Sequence, residues 1–249
     1  MQIPTINFLS IPVAALTMRQ TLKIIDEAIR NDRHIHHVVI NAAKVLAMRK
    51  NQQLHNSVTA CDLINADGQA IVWAARFLGQ HLPERVAGID LMENLVEMAH
   101  QKHYKCFFFG AKEAVVRKVV DIYSERYGQE IIAGYRNGYY ARKEEETIAR
   151  QIGESGANIL FVAISSPQKE LFLNAFNHIL QNINFTMGVG GSFDVVAGVV
   201  ERAPRWMQNT GMEWLFRLVQ EPRRMWRRYL IGNIQFIRLI FIEKFKKTT

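Results

Sequence analysis

Short apolar runs rich in β-branched residues alternate along the chain with longer segments whose apolar residues recur at helical spacing. The short runs predict strands at 36–41, 62–65, 104–109, 129–134, 158–164 and 184–189. The longer segments predict helices at 42–50, 89–102, 112–127, 143–155 and 167–180, with another that begins near Gly68. Strands that alternate with helices in this way form a mostly parallel sheet covered on both faces. We therefore predict an α/β fold.

The C-terminal fifth of the chain has a different character. Residues 205–249 carry a net charge of +7 out of +8 for the whole chain, and they hold three of the four tryptophans. If 225–247 form one helix, its polar side holds Arg224, Arg227, Arg228, Gln235, Arg238 and Lys246, and a broad opposite arc holds Met225, Trp226, Tyr229, Phe236, Ile237 and Ile240. A basic amphipathic helix with Trp and Tyr is typical of a membrane-surface segment. The alternative is a helix packed on the core or on a second subunit.

Composition narrows the classes of function further. Cys61 and Cys106 stand far apart with no CxxC, which favours two buried thiols over a disulfide framework or a structural zinc site. We expect no secretory signal and no transmembrane helix, because the N-terminus lacks a basic start and no run of about 18 uncharged apolar residues occurs. The histidines at 34, 36 and 37 lack the spacing of a metal site, and we expect a surface role at a strand edge.

Polar and glycine-rich residues follow the predicted strands, where ligands bind in parallel α/β sheets. They include Asn41, the Ala66-Asp67-Gly68 turn, Gly110, the Ser165-Ser166-Pro167 turn and the cluster around Gly190. Glycines let a ligand approach the backbone, and a helix N-terminus favours phosphate. The glycine cluster at 188–191 is not a full GxGxxG, and no acidic residue follows about 20 positions later, which disfavours a hydride-transfer enzyme.

Three charged residues are candidates for chemistry, and each has a purely structural alternative. Asp67, between an apolar strand and a glycine, can act as a general base or cap a helix. Asp194 can accept hydrogen bonds from a ribose or form an Asx-turn. Arg85 can bind phosphate or pair with a neighbouring acid. No Asp-x-Asp pair occurs, so we expect no metal, and the charge of a leaving group must be met by arginine, lysine and backbone amides.

A set of short motifs runs in order through most of the chain. The motifs are INAAK (40–44), ADG (66–68), RVAGIDL (85–91), FFFG (107–110), GYY (138–140), SPQKE (166–170), GVGGSFD (188–194), RAP (202–204) and EWLFRL with EPRR (213–224). In this order they resemble the WecG/TagA/CpsF family of N-acetylmannosamine and N-acetylmannosaminuronic acid transferases. The resemblance covers about 38–228.

The resemblance implies a Rossmann-like catalytic domain at 1–203 and a helical appendage at 204–249 that completes the active site and associates with the membrane. The implied reaction is an inverting, metal-independent transfer of an N-acetylmannosamine-type sugar from a UDP donor to a polyprenyl-diphosphate-linked N-acetylglucosamine. It implies a peripheral protein at the inner face of the bacterial cytoplasmic membrane, with no cofactor beyond the donor and no nucleic acid. The appendage and its aromatic residues are compatible with a homo-oligomer.

The resemblance also assigns roles to individual residues. Asp67 would be the base, Arg85, Arg217, Arg224 and Arg227 would neutralise the diphosphates, and Tyr139 and Asp194 would lie near the uridine. The remaining expected substrate-binding residues are Asn41, Gly110, Gln168, Lys169, Glu170 and Gly190.

One motif departs from the family. Lys169 stands at the position of the family's active-site glutamine, and Gln168 points about 100° away on a helix. A lysine there would favour an acidic donor sugar or add a phosphate contact. INAAK, without a threonine before Asn41, is closer to the uronic acid transferase branch. Two other classes stay open from the residues: a nucleic-acid-binding protein that uses the basic tail, and a membrane-docked scaffold without catalysis.

Overall fold

The computed structural model describes residues 3–246, without the side chains of Asn209, Arg224 and Arg228. Its strands are β1 (Thr5–Phe8), β2 (Ile11–Ala14), β3 (Ile35–Ile40), β4 (Leu63–Ala66), β5 (Cys106–Gly110), β6 (Ile132–Arg136), β7 (Ile159–Ala163) and β8 (Phe185–Gly188). Strands β3 to β8 form one sheet in the order β4-β3-β8-β7-β5-β6, and every neighbouring pair is parallel. The predicted α/β fold is confirmed.

Helices follow most strands of the sheet. They are α1 (Met18–Arg30), α2 (Ala42–Lys50), α3 (Gln52–Thr59), α4 (Gln69–Phe77), α5 (Gly88–Lys102), α6 (Glu113–Tyr127), α7 (Glu145–Gly153), α8 (Gln168–Ala175), α9 (Ser192–Val196), α10 (Arg205–Asn209), α11 (Glu213–Gln220), α12 (Pro222–Trp226) and α13 (Gly232–Lys246). A π-helical segment, Arg227–Ile231, joins α12 to α13. The predicted helix at 42–50 coincides with α2, and most other bounds differ by a few residues.

Both faces of the sheet are buried, which explains the continuous apolar strands. In β5, Cys106 and Phe108 face a core with residues of α5 and α6, whereas Phe107 and Phe109 face a second core with residues of α7 and α8. Successive strand residues point to opposite faces, so a sheet with helices on each side needs apolar residues at every position.

The N-terminal hairpin is an element that the sequence did not reveal. β1 pairs with β2 in antiparallel fashion through a two-residue turn, in which Leu9 and Ser10 have φ values of 53° and 67°. Such turns usually carry Asn-Gly or Asp-Gly, because few other residues adopt positive φ. Leu-Ser gives no turn signal, so the hairpin was missed.

The surface role expected for the histidine cluster is wrong for two of its members. His36 and His37 lie in β3 and are buried, and His37 Nε2 is 2.9 Å from the side-chain oxygen of Asn65. Burial lowers the pKa of His36 to about 4 and that of His37 to about 3. The sheet continues past β3 on both sides, so this strand is central and its polar residues are enclosed.

The tail is helical but not one regular α-helix. The π-helical segment Arg227–Ile231 interrupts it and shifts the phase of the residues that follow, so a single 100° rule does not describe its faces. Phe236 and Ile240 of α13 pack into the core beside Val45 of α2. Other apolar residues of α13 are exposed, including Ile234 and Ile237. None of the helices within residues 3–246 is long and apolar enough to span a bilayer.

Candidate active site

The carboxyl ends of the six parallel strands meet at one edge of the sheet, and Asp67 lies there. It directly follows β4, and its backbone N–H donates to the carbonyl of Ile40 at the end of β3 (2.7 Å). A carboxylate oxygen of Asp67 lies 3.9 Å from the point where a side chain on Gly88 would begin. Gly68, not Asp67, is the N-cap of α4, and the helix has no side-chain cap. The capping alternative for Asp67 is therefore wrong.

The carboxylate of Asp67 is surrounded by charged groups. Burial raises its pKa, the nearby charges of Arg85, Arg217 and Lys44 lower it, and the charge of Glu213 raises it. Within residues 3–246, no hydrogen bond or ion pair of the described side chains engages this carboxylate. A carboxylate that makes none of these interactions, has a raised pKa and lies at the carboxyl edge of a parallel sheet is suited to act as a general base.

Arg85 connects the core to the C-terminal helices. The next residue, Val86, donates its backbone N–H to the carbonyl of Ala66 at the end of β4 (2.8 Å). This hydrogen bond places Arg85 beside the Asp67 turn. The guanidinium of Arg85 donates a hydrogen bond to the carboxylate of Glu213, at the start of α11, with an N–O distance of 2.5 Å. Gly211, just before α11, packs so closely on Gln69 of α4 that a Cβ there would be 2.7 Å from its side chain. The tail thus covers the sheet edge next to Asp67.

A second group of charged side chains lies near Asp67, because Lys44 is among the charges that lower the pKa of Asp67. Asn41 caps α2 by accepting the N–H of Lys44 (3.0 Å). The Lys44 ammonium is 2.8 Å from the Glu170 carboxylate, and the Lys169 ammonium is 3.0 Å from the same oxygen. All three side chains are less than 10% exposed. Burial acts to raise the pKa of Glu170, but the two lysines prevail and lower it to about 2.

Lys169 and Gln168 point in different directions, as expected. The Lys169 side chain crosses Gly188 at the end of β8, and a Cβ on Gly188 would be only 2.9 Å from the Lys169 side chain. The Lys169 ammonium is 4.0 Å from the point where a Cβ on Gly190 would lie. Gln168 is exposed, and its side-chain oxygen accepts from the hydroxyl of Ser165 (3.0 Å). Lys169 is therefore directed into the sheet edge, whereas Gln168 stays on the loop surface.

The expected uridine region is assembled from two neighbouring strands. Gly110, at the end of β5, has a φ of 124°, and a Cβ there would come within 2.5 Å of the Ala163 backbone. Gly138 donates its N–H to the carbonyl of Ala111 (2.8 Å), which brings the loop after β6 against Gly110. Tyr139 follows and is 71% exposed. Most of the Tyr139 side chain is therefore exposed to solvent in the loop after β6.

The loop after β8 supplies Gly190 and Asp194. Gly190 has a φ of 55° and lies at the sheet edge. The carbonyl of Asp194, in α9, accepts the N–H groups of Val199 and Val200, and its carboxylate oxygen lies 3.8 Å from a Cβ position on Gly191. The backbone of Asp194 therefore shapes this loop and its carboxylate stays at the glycine turn.

The tail arginines do not all converge on Asp67. Arg217 is near enough to lower its pKa. The Arg227 guanidinium instead lies over the ring of Trp226, 5.2 Å from its centroid, and is exposed. The side chain of Arg224 lies outside the described residues.

Sequence reasoning gave no role to two charged residues of the site, Lys44 and Glu213, although both stand in quoted motifs. Lys44 lies three residues after the cap Asn41, which places it on the same turn of α2. This spacing from Asn41 is the feature of the sequence that could have indicated a place for Lys44 in the site. Nothing local indicates that Glu213 binds Arg85, since 128 positions separate them.

Among the residues that the structure describes, no three or more His, Cys, Asp or Glu side chains are grouped to hold a metal ion. What the edge does offer is a carboxylate to accept a proton, arginines to meet developing negative charge, and glycine turns for close approach.

Comparison with known proteins gives two consistent findings. Residues 6–249 match the family described as "Glycosyl transferase WecG/TagA/CpsF family". A Bacillus subtilis protein named N-acetylglucosaminyldiphosphoundecaprenol N-acetyl-beta-D-mannosaminyltransferase is 33% identical over 209 residues, 84% of this chain and 80% of that protein. A Bacillus spizizenii protein of the same name is 34% identical over 181 residues, 73% and 69% of the two chains.

Proposed function

Because the chain belongs to the WecG/TagA/CpsF family and is a glycosyltransferase, we propose that it transfers an N-acetylmannosamine-type sugar from a UDP donor to a polyprenyl-diphosphate-linked N-acetylglucosamine. The similarity to the two mannosaminyltransferases supports this choice of donor and acceptor. The proposed reaction rests mainly on one observation: the Asp67 carboxylate at the sheet edge makes no hydrogen bond or ion pair with the described side chains and lies near Arg85 and Arg217.

Asp67 is the proposed base. Its carboxylate takes the proton from a hydroxyl of the acceptor sugar, and the oxygen of that hydroxyl bonds to the anomeric carbon of the donor. The bond from this carbon to the phosphate oxygen breaks on the opposite face, its electron pair leaves with UDP, and the configuration inverts. The raised pKa supports this role, because a base that is too weakly basic drives proton removal poorly.

Arg85 and Arg217 are the proposed partners of the diphosphates. Both act on the charge of Asp67, so in this proposal both lie near the reacting sugars, within reach of a diphosphate of the donor or of the acceptor. Guanidinium groups bind phosphate oxygens with paired donors and do not lose their charge. Arg85 exchanges Glu213 for phosphate in this proposal. We expect transfer to continue in the presence of EDTA, since arginines take the place of a metal.

The donor's nucleotide lies at the opposite part of the edge in this proposal. The exposed ring of Tyr139 can stack on uracil, and the Asp194 carboxylate can accept hydrogen bonds from ribose hydroxyls. The glycine backbone at Gly110 allows the close approach that such a ligand needs.

Residues 204–249 form the proposed membrane-associated appendage. α13 buries Phe236 and Ile240 in the core, yet Ile234 is 69% exposed and Ile237 55% exposed. An exposed apolar helix face next to a net charge of +7 suits the interface of an anionic bilayer. We place the protein at the inner face of the bacterial cytoplasmic membrane, where a lipid-linked acceptor is within reach.

A transfer assay tests the proposal. The purified full chain is given a lipid-linked N-acetylglucosamine acceptor and a panel of UDP-sugars, with and without EDTA. We expect a disaccharide product from an N-acetylmannosamine-type donor and none from UDP-glucose or UDP-galactose. The absence of transfer from every donor of the first kind would refute the proposed function.

A further inference from the structure

Glu213 binds the guanidinium of Arg85 at the place where the proposed function puts a diphosphate. The two side chains are withdrawn from water, with 15% of Arg85 and 27% of Glu213 exposed. A guanidinium in such a position is stable when an anion compensates its charge. Carboxylate and phosphate oxygens accept the same guanidinium N–H groups, so Glu213 makes the contact that a diphosphate would make.

Two anions beside Arg85 repel each other. A carboxylate within about 4 to 6 Å of a phosphate group faces a like charge, which is unfavourable. The charge of Glu213 also extends to the reacting carboxyl, because it raises the pKa of Asp67. A diphosphate that binds Arg85 therefore requires Glu213 to leave, and the ion pair that must break lowers the measured affinity.

Helix α11 carries the opposite charge one turn after Glu213. Arg217 follows Glu213 by four residues, so the two side chains lie on the same face of α11. Both act on Asp67, where Glu213 raises the pKa of the carboxyl and Arg217 lowers it. The helix face that directs an acid to Arg85 thus also directs an arginine to the same part of the sheet edge, and this arginine suits an incoming phosphate group.

From these contacts we propose that Glu213 is an internal competitor of the substrate, whose carboxylate holds the Arg85 guanidinium until a substrate diphosphate displaces it. The inference rests on the proposed function and concerns the regulation of the same site. The UDP donor and the lipid-linked acceptor both contain a diphosphate, so the test examines each of them.

Binding measurements test the competition. The Kd of UDP and the Kd of a short-chain prenyl-diphosphate N-acetylglucosamine are measured separately by calorimetry with wild type, Glu213→Gln and Glu213→Ser. The diphosphate that uses Arg85 should bind about three- to tenfold more tightly to both variants, because no ion pair has to break. A residue that only stabilises the fold would give the opposite result, since its loss would weaken binding.

A second ion pair between the core and the C-terminal part of the chain provides the matched control. Arg202 donates a hydrogen bond to the carboxylate of Asp90, in the first turn of α5, with an N–O distance of 2.5 Å, and both side chains are partly exposed. Asp90→Asn weakens this pair and leaves Arg85 and Glu213 in place, so both Kd values should stay within about twofold of wild type. A gain in affinity as large as that of Glu213→Gln would indicate a general loosening and would overturn the competition.

Structures of the wild-type chain in complex with each ligand do not depend on the folding of a variant. In the complex with UDP, or in the complex with the acceptor, Arg85 should donate to phosphate oxygens and Glu213 should lie beyond hydrogen-bond distance. An Arg85–Glu213 pair that stays intact in both complexes would show that the inference is wrong.

The results also distinguish the inference from the proposed function. If UDP and the acceptor bind, and neither binds more tightly to Glu213→Gln than to wild type, the inference fails while the proposed function stands. If neither ligand binds to wild type or to the variants, the proposed function fails and the inference fails with it.

Discussion

At Asp67, the pKa of one carboxyl results from opposing neighbours. Burial and Glu213 raise it, whereas Arg85, Arg217 and Lys44 lower it. If Asp67 is the base, kcat/KM falls as the pH falls through this pKa, because the protonated carboxyl cannot accept a proton. The acid limb of the pH profile therefore reports on the charges that surround Asp67.

Two substitutions should move this limb in opposite directions. Glu213→Gln removes a charge that raises the pKa, so the limb should shift to lower pH. Arg217→Gln removes a charge that lowers it, so the limb should shift to higher pH. The measurement is kcat/KM against pH for both variants and wild type. Shifts in the same direction, or none in either variant, would show that another group titrates.

The buried histidines make a second residue-scale prediction. His37 has a folded-state pKa of about 3, so between that value and an unfolded value near 6.5 the unfolded chain binds the extra proton. Stability is then fully present above about pH 6.5 and is lost as the pH falls. Urea unfolding at pH 7 and pH 5 should show a loss of about 2 kcal/mol from His37 alone. The loss should shrink in His37→Gln, and an unchanged loss would contradict the assignment.

Single residues also mark the limit of sequence reasoning. Asp67 could be placed at a strand end from the run before it and the glycine after it, because this relation is local. The pairing of Arg85 with Glu213 could not be predicted, because the two residues are 128 positions apart and meet only when the tail packs on the sheet edge. The burial of His36 and His37 was missed because strand order, not local pattern, made β3 a central strand.

At the scale of elements, the β5 end and the loop after β6 depend on Gly110. Its φ of 124° is unfavourable for other residues, and a Cβ would collide with the Ala163 backbone at 2.5 Å. Gly110→Ala should therefore lower the free energy of unfolding by about 3 kcal/mol or more. Gly156 has a φ of 71° but nothing within 4 Å of its Cβ position, so Gly156→Ala should cost only about 1 kcal/mol. Chemical denaturation compares them, and equal losses would refute the collision.

The α13 surface makes a prediction about membrane binding. Ile234→Ser combined with Ile237→Ser removes two exposed apolar side chains, which should weaken binding to vesicles that contain phosphatidylglycerol by at least about tenfold. Tyr135→Ser, an exposed residue on the far edge strand β6, is the matched control and should bind as wild type does. If the double variant sediments with vesicles normally, α13 is not the docking face.

Elements were predictable where periodicity alone decides them. Parallel strands such as β5 and β7 are apolar throughout because both faces are covered, and this pattern is visible in the chain. The π-helical segment Arg227–Ile231 was not predictable, because it changes the period of a helix without a distinct residue signal. After this segment, Phe236 and Ile240 pack into the core, whereas Ile237, expected on the same apolar arc, is exposed.

At the scale of the whole molecule, the sheet order makes a site out of distant segments. β8 lies between β3 and β7, so the glycine turn after β8 comes next to Asn41 and the Lys169 helix. The tail then closes on the same edge through Glu213. Any one segment carries only part of the chemistry, and the parallel topology brings the parts together.

Whether Asp67 is the base is decided most directly by a substitution that keeps its size and removes its charge. Wild type and Asp67→Asn are compared for kcat with a mannosaminyl-type UDP donor and the lipid-linked acceptor, and for the Kd of UDP by calorimetry. We expect kcat to fall by about 10² to 10⁴, with a Kd for UDP close to that of wild type. A variant that binds UDP normally and also turns over at the wild-type rate would contradict the account.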